Sequence, residues 1–219
     1  MNREEKAHWI MNLKNIFTNN LTALDNQFPV LAQRLKNHLV DTSWQAFLTE
    51  SGVFSFHHDE LDGCSASMCS RFDPITEGKT WFNINAAERY HPYVVLGCGL
   101  GYHILPFANG RQGNRKIAVI EASMDLFYLA MSVNDLTNIF SLERLSLFVS
   151  EQSILESALK DFCTSDTRYG LFLPSTSFNS VYYENISALL DRTIYECRNN
   201  GEGDGRCGAV KEFLNLLGE

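Results

Sequence analysis

Three glycines at alternate positions, Gly97-Cys98-Gly99-Leu100-Gly101, then Tyr102 and His103, and an acid twenty residues past the last glycine, Glu121, have the types and spacing for ligand chemistry. Glycine tolerates positive φ and has no Cβ, so such a turn exposes main-chain N–H groups to a ligand. A carboxylate at Glu121 can accept hydrogen bonds from ribose hydroxyls. His103 can donate to a phosphate or carboxylate from the first turn after the glycines. Gly97, Gly99, Gly101, Tyr102, His103 and Glu121 are therefore the candidate cofactor-binding set, with no catalytic set and no metal set assigned. Position 102 is Tyr and 103 is His, so the pattern is GxGxG and departs from the dinucleotide fingerprint. It comes closer to the glycine loop of S-adenosylmethionine-dependent methyltransferases, whose acid two positions before the first glycine is here Val95. The cofactor stays unassigned. An empty crevice also fits, with the glycines allowing close packing and Glu121 acting as an ordinary helix N-terminal acid.

Other constellations carry less. His57, His58, Cys64 and Cys69 bring four possible metal ligands within thirteen residues. They form no Cys-x-x-Cys or spaced His pair, so the spacing argues against zinc and for a loop with inert thiols. Arg71 and Asp73 lie two apart before Pro74, which suits an ion pair or a turn cap. Cys98, flanked by glycines, has no evident base apart from His103.

The elements that must position the glycine turn follow from apolar spacing. Trp9, Ile10, Leu13, Ile16, Phe17, Leu21, Leu24 and Phe28 recur at helical intervals. Pro29 starts a second helix that ends near residues 41–43, making a helical hairpin. Phe47-Leu48-Thr49 and Val53-Phe54-Ser55-Phe56 flank a turn containing Gly52, the mark of a small β-lobe, which Pro74 ends. Residues 61–70 are small and polar and are placed neither as strand nor as loop, and 75–90 is read as a connecting segment. Four apolar runs follow, Tyr93–Leu96, Ile117–Ile120, Leu145–Val149 and Tyr169–Leu173, with helical spacing over 102–109, 124–133, 154–162 and 179–198. Strand and helix alternating in this way predict an α/β fold, a Rossmann-like, mostly parallel sheet with flanking helices. The expected division is 1–74 for the hairpin and β-lobe and 75–219 for the α/β domain.

A formal charge of -8 and no Lys/Arg-rich stretch exclude a phosphate backbone as partner, so no nucleic acid is expected. No apolar run approaches the ~18 residues of a membrane span, and the charged start does not read as a secretory signal. Six scattered cysteines in a chain of 219 residues are read as free thiols of a cytoplasmic protein.

Several separate pieces, in order, resemble the N-terminal region of the motility accessory factor (Maf) family, bacterial glycosyltransferases that attach nonulosonic acids to flagellin. They are the hairpin with Phe28-Pro29, Ser70-Arg71-Phe72-Asp73-Pro74, Val94 through His103, and Val119-Ile120-Glu121 followed by Asp135-Leu136. Leu171-Phe172-Leu173-Pro174-Ser175 lacks the histidine of the corresponding histidine-proline segment. The resemblance implies a Rossmann-like domain that does not itself catalyse sugar transfer, which belongs to a further domain downstream. It also implies flagellin or that domain as partner, and a nucleotide or nucleotide-sugar as possible ligand. The competing expectation from the residues is an S-adenosylmethionine-dependent methyltransferase.

Overall fold

The computed structural model describes residues 3–58, 66–86, 91–109, 115–151 and 153–200, and within these the side chains of 3–10, 175, 176 and 200 are left aside. The chain opens with α1 (Arg3–Gln27) and α2 (Pro29–Lys36), Pro29 standing in the first turn of the second helix. That helix stops short of the expected end: Asn37 and His38 close it through bonds to the Arg34 and Leu35 carbonyls. Leu24, Leu31, Ala32 and Leu35 are buried in the core beside the main sheet, so the hairpin shares that core. The apolar stripe begins beyond the described side chains at Trp9 and Ile10, and from Leu13 to Leu21 it is half-buried.

The β-lobe is an antiparallel sheet of β1 (Trp44–Leu48), β2 (Phe54–His58) and the short β3 (Ala66–Ser67), with Gly52 at φ +77° in the hairpin turn. Ala66–Ser67 gives the small polar stretch one strand, while its first five residues lie outside the described ones.

Residues 75–85, read above as part of a connection, belong to helix α3 (Pro74–Asn85). Pro74 does not end the lobe but begins this helix, its missing N–H being one the first turn never uses. Asp73 caps it, accepting from the Ile75 and Thr76 amides at 3.1 and 3.0 Å, and Glu77 reaches back to the Ser70 amide at 2.8 Å. Of the two roles weighed for the Arg71–Asp73 pair, Asp73 takes the cap, while Arg71 lies over the Phe47 ring.

The main sheet is wholly parallel: β4 (Tyr93–Leu96), β5 (Ile117–Glu121), β6 (Leu145–Val149) and β7 (Arg168–Leu171), ordered β6-β5-β4-β7. Every residue of β4 and β5 is buried, because both faces are covered. Tyr93, Val95, Ile117 and Val119 face the side of α1, α2 and α4 (Met124–Val133), whereas Val94, Leu96, Ala118 and Ile120 face α6 (Leu155–Phe162) and α8 (Ser180–Asn200). The short helices α5 (Thr137–Phe140) and α7 (Leu173–Thr176) complete the α-helices of the described residues.

The expected helix over 102–109 does not form. Turns lead into a single 3₁₀ helix, Leu105–Ala108. Pro106 has no N–H to give the Tyr102 carbonyl and disfavours helical backbone at Leu105, so the segment closes through Ile104 and Phe107 amides bonding three residues back.

Candidate functional site

The chain turns sharply after β4, with φ of +88°, +50° and +87° at Gly97, Gly99 and Gly101, conformations that glycine adopts without a Cβ penalty. β5 lies beside β4 in register, so Glu121 ends its strand next to the turn. Its carboxylate is fully buried. Oε2 accepts from the Cys98 amide at 2.7 Å and the Gly99 amide at 3.3 Å, and Oε1 accepts from the Ser123 amide and the Tyr183 hydroxyl, each at 3.0 Å. Four converging donors suit an ionised carboxylate, which only accepts. The main-chain donors expected to face a ligand are thus turned onto the chain's own acid.

No α-helix follows the turn, so there is no helix dipole behind these amides. The role passes to neighbouring elements. The backbone of Tyr102 and His103 presses on α3 at Gly78, where a Cβ would lie 2.6 Å from the Tyr102 carbonyl carbon and 2.7 Å from the His103 nitrogen. The Tyr102 hydroxyl, on a side chain only 5% exposed, donates to the Phe54 carbonyl at 2.9 Å and ties the turn to the β-lobe.

His103 is fully buried, its Nε2 2.9 Å from the Gly97 carbonyl oxygen. A carbonyl only accepts, so Nε2 carries the hydrogen. Its Nδ1 has no hydrogen-bond partner among the described residues. Burial pulls the pKa of His103 down to about 3, and the imidazole is neutral at physiological pH. It stacks on Phe172 with centroids 3.8 Å apart and meets the Trp81 edge at 4.9 Å. Trp81 Nε1 donates to the Leu171 carbonyl at 2.8 Å. This aromatic trio sits where the strand order reverses, between β4 and β7, the place where open α/β sheets hold their ligands.

Cys98 is fully buried, and burial together with the Glu121 charge pushes its thiol well above the ordinary range. It is a protonated packing residue. Burial likewise raises Cys69, to about 12, and its Sγ lies 3.0 Å from Ser55 Oγ. Cys69, Cys98 and Cys163 are buried free thiols. Cys197, expected to be free as well, is instead in a disulfide, and Cys64 and Cys207 lie outside the described residues. His57 and His58, consecutive on β2, take different neighbours: His57 packs on Phe47 and His58 on Trp44, with Asp41 at 3.6 Å. Among the described residues no three His, Cys, Asp or Glu side chains could hold a metal ion, and no helix is long and apolar enough to cross a membrane.

Sequence reading missed Asn20. This buried amide on α1 donates to the Met131 and Asn134 carbonyls at 2.8 and 2.6 Å and accepts from the Leu136 amide at 2.7 Å. Asn134 Nδ2 in turn donates to the Leu100 carbonyl at 2.5 Å, so α1 braces the glycine turn through the loop after α4. The partners are more than a hundred positions away, and the sole signal in the sequence was a polar residue inside an apolar stripe.

At the same sheet edge, beside β5 and β6, lies a cavity of about 550 Å³ lined by Ala122, Ser150, Glu151, Ser153, Asn179 and Tyr182.

A parallel sheet in this order, with a glycine turn at the carboxyl end of one strand and an acid ending the next, defines a Rossmann-type α/β domain. The model of the glycosyltransferase Maf N-terminal domain family matches residues 64–186, more than half of the chain, and the chain belongs to that family. The solved structure of the Maf glycosyltransferase from Magnetospirillum magneticum AMB-1 shares the fold, with a TM-score of 0.53 and 18% identity over 88% of this chain. This chain spans 36% of that protein. MNMC2 from Aquifex aeolicus matches 62% of this chain and 52% of its own at 15% identity, with a TM-score of 0.30. No curated protein matches the chain.

Proposed function

We propose that this chain is a non-catalytic recognition and scaffold domain of a Maf-type flagellin glycosylation system, holding flagellin or a downstream glycosyltransferase domain. The observation that carries the reading is the engagement of the glycine-turn amides by Glu121, which leaves Cys98 and Gly99 no donor for a phosphate or a ribose-bound acid. The trio of Trp81, His103 and Phe172 fills the neighbouring crevice between β4 and β7. A methyltransferase using Gly97, Gly99, Gly101, Tyr102, His103 and Glu121 needs that carboxylate turned outward to a ribose and the crevice emptied.

The test is an amide-resolved NMR titration with S-adenosylmethionine, nicotinamide dinucleotide, cytidine monophosphate and a cytidine monophosphate sugar. The Cys98, Gly99 and Ser123 resonances are expected to stay in place with all four. Movement with S-adenosylmethionine supports the methyltransferase instead, and movement with the cytidine compounds supports a ligand-binding turn. Sedimentation of mixtures with flagellin and with a separately produced catalytic domain is expected to show a complex with at least one. Failure with both overturns the scaffold role.

A further inference from the structure

The cavity beside β5 and β6 is built unlike the glycine turn. Ala122 and Ser150 directly follow the two strands, Glu151 and Ser153 lie on the way to α6, Asn179 ends the 3₁₀ turn before α8, and Tyr182 stands in the first turn of α8. The floor is rigid. The Ser150 amide donates to the Glu121 carbonyl at 2.8 Å, and Arg34 Nη2 reaches the Val149 and Ser150 carbonyls at 3.2 and 3.4 Å. The Tyr182 hydroxyl donates to the Glu151 carbonyl at 3.1 Å, which fixes the aromatic wall. Ser150 holds φ at +51°, a left-handed conformation that a non-glycine residue keeps at a cost and that such frameworks impose at binding sites.

The lining chemistry selects the occupant. Among the described residues no Lys, Arg or His lines the cavity, and the one charged group they bring to it, Glu151, is an acid. An anion therefore meets no compensating charge from them. Glu151 Oε1 pairs with Arg34 Nη1, and its Oε2 accepts no hydrogen bond from the described residues. The Ser150 and Ser153 hydroxyls and the Asn179 amide make no hydrogen bond within the described residues. Two hydroxyls, an amide that donates and accepts, and a carboxylate oxygen beside the Tyr182 side chain match the alternating donors and acceptors of a sugar ring. A volume of about 550 Å³ holds one such ring or two.

We infer that this cavity binds the vicinal diol of an uncharged sugar ring, with Glu151 accepting from the diol and Asn179 and the two serines fixing the ring. The ring has two sources, a hexose or the ribose of an uncharged nucleoside. This site is separate from the glycine turn and does not rest on the glycosylation reading.

The test is a titration of the whole 219-residue chain, observed at the Ala122, Ser150, Ser153 and Asn179 amides, with N-acetylglucosamine, uridine, 2′-deoxyuridine and inorganic phosphate. Movement with N-acetylglucosamine identifies the hexose source. Movement with uridine, about tenfold weaker with 2′-deoxyuridine, identifies the ribose. The Asn179→Ala and Glu151→Gln variants, checked for an unchanged spectrum elsewhere, are each expected to weaken binding about tenfold. No movement with either sugar compound, movement with phosphate alone, or equal binding of uridine and 2′-deoxyuridine overturns the inference. Unchanged affinity in a folded Asn179→Ala protein does so as well.

Discussion

After β4 the turn leaves Cys98, Leu100 and His103 at no more than 1% exposure, whereas after β6 Ser150 and Ser153 are open to solvent. Both turns occupy the carboxyl edge of one sheet, where ligands of this fold bind. In the first, Glu121 and the Cys98 and Gly99 amides satisfy each other, and the aromatic side chains of Trp81, His103 and Phe172 take the neighbouring space. In the second, polar side chains line the space, and those of Ser150, Ser153 and Asn179 keep their hydrogen-bonding groups uncommitted within the described residues. A glycine pattern thus marks where the backbone bends, and the partners of its amides decide whether a ligand has anything to hold.

The largest expected effect falls on the self-satisfied side. Glu121→Leu leaves the Cys98, Gly99 and Ser123 amides and the Tyr183 hydroxyl without their acceptor, a loss of about 4 kcal/mol at roughly 1–3 kcal/mol per buried orphan group. Urea unfolding monitored by circular dichroism reads it as a lower midpoint at constant slope. A loss under about 1 kcal/mol would mean that the turn's donors look elsewhere.

Gly78→Ala comes next, with about 3 kcal/mol expected. Its new methyl group meets backbone of Tyr102 and His103, which cannot swing aside as a flexible side chain can. The same unfolding curve serves, and wild-type stability would show that α3 does not press on the turn.

His103 sharpens the comparison through pH. Its folded pKa of about 3 lies below the ordinary 6.5, so between these values the unfolded chain takes up a proton that the folded one refuses. The stabilising contribution is whole above pH 6.5 and fades as pH falls toward 3. At pH 5 the loss is about 2 kcal/mol, at 1.36 kcal/mol per unit. His103→Phe keeps a stacking ring for Phe172 and removes that part of the pH slope. Identical slopes in the two proteins would place a charged imidazole in the fold.

The smallest effect belongs to the open side. Asn179→Ala is expected to move stability by less than about 0.5 kcal/mol, since its amide holds nothing within the described residues. A larger loss in thermal melting would make the β5–β6 cavity as structural as the glycine turn.

What the sequence disclosed follows the same division. The strands β4 and β5 were legible because burial on both faces demands apolar runs, β6, at the sheet edge, from a run that Ser146 interrupts, and α4 from its 3.6-residue period. The glycine turn and the acid at the end of β5 were placed by spacing alone. Helix α3 was hidden by Pro74, which reads equally as a stop or as a first turn, and by Gly78, kept small for the backbone it touches. The absent helix after Gly101 traces to Pro106. The direction of the Glu121 side chain was not legible, because a strand-end acid serves a ribose and a neighbouring amide with one chemistry. Nor was the β5–β6 cavity, whose wall comes from Asn179 and Tyr182, far along the chain.

Native-state hydrogen exchange at the Cys98 and Gly99 amides tests the central claim most directly. If Glu121 holds these donors inside the fold, both exchange only through global unfolding, with protection equal to that of the β4 and β5 core amides. Exchange as fast as that of exposed turn amides such as Thr42 would show donors open to solvent and contradict the account.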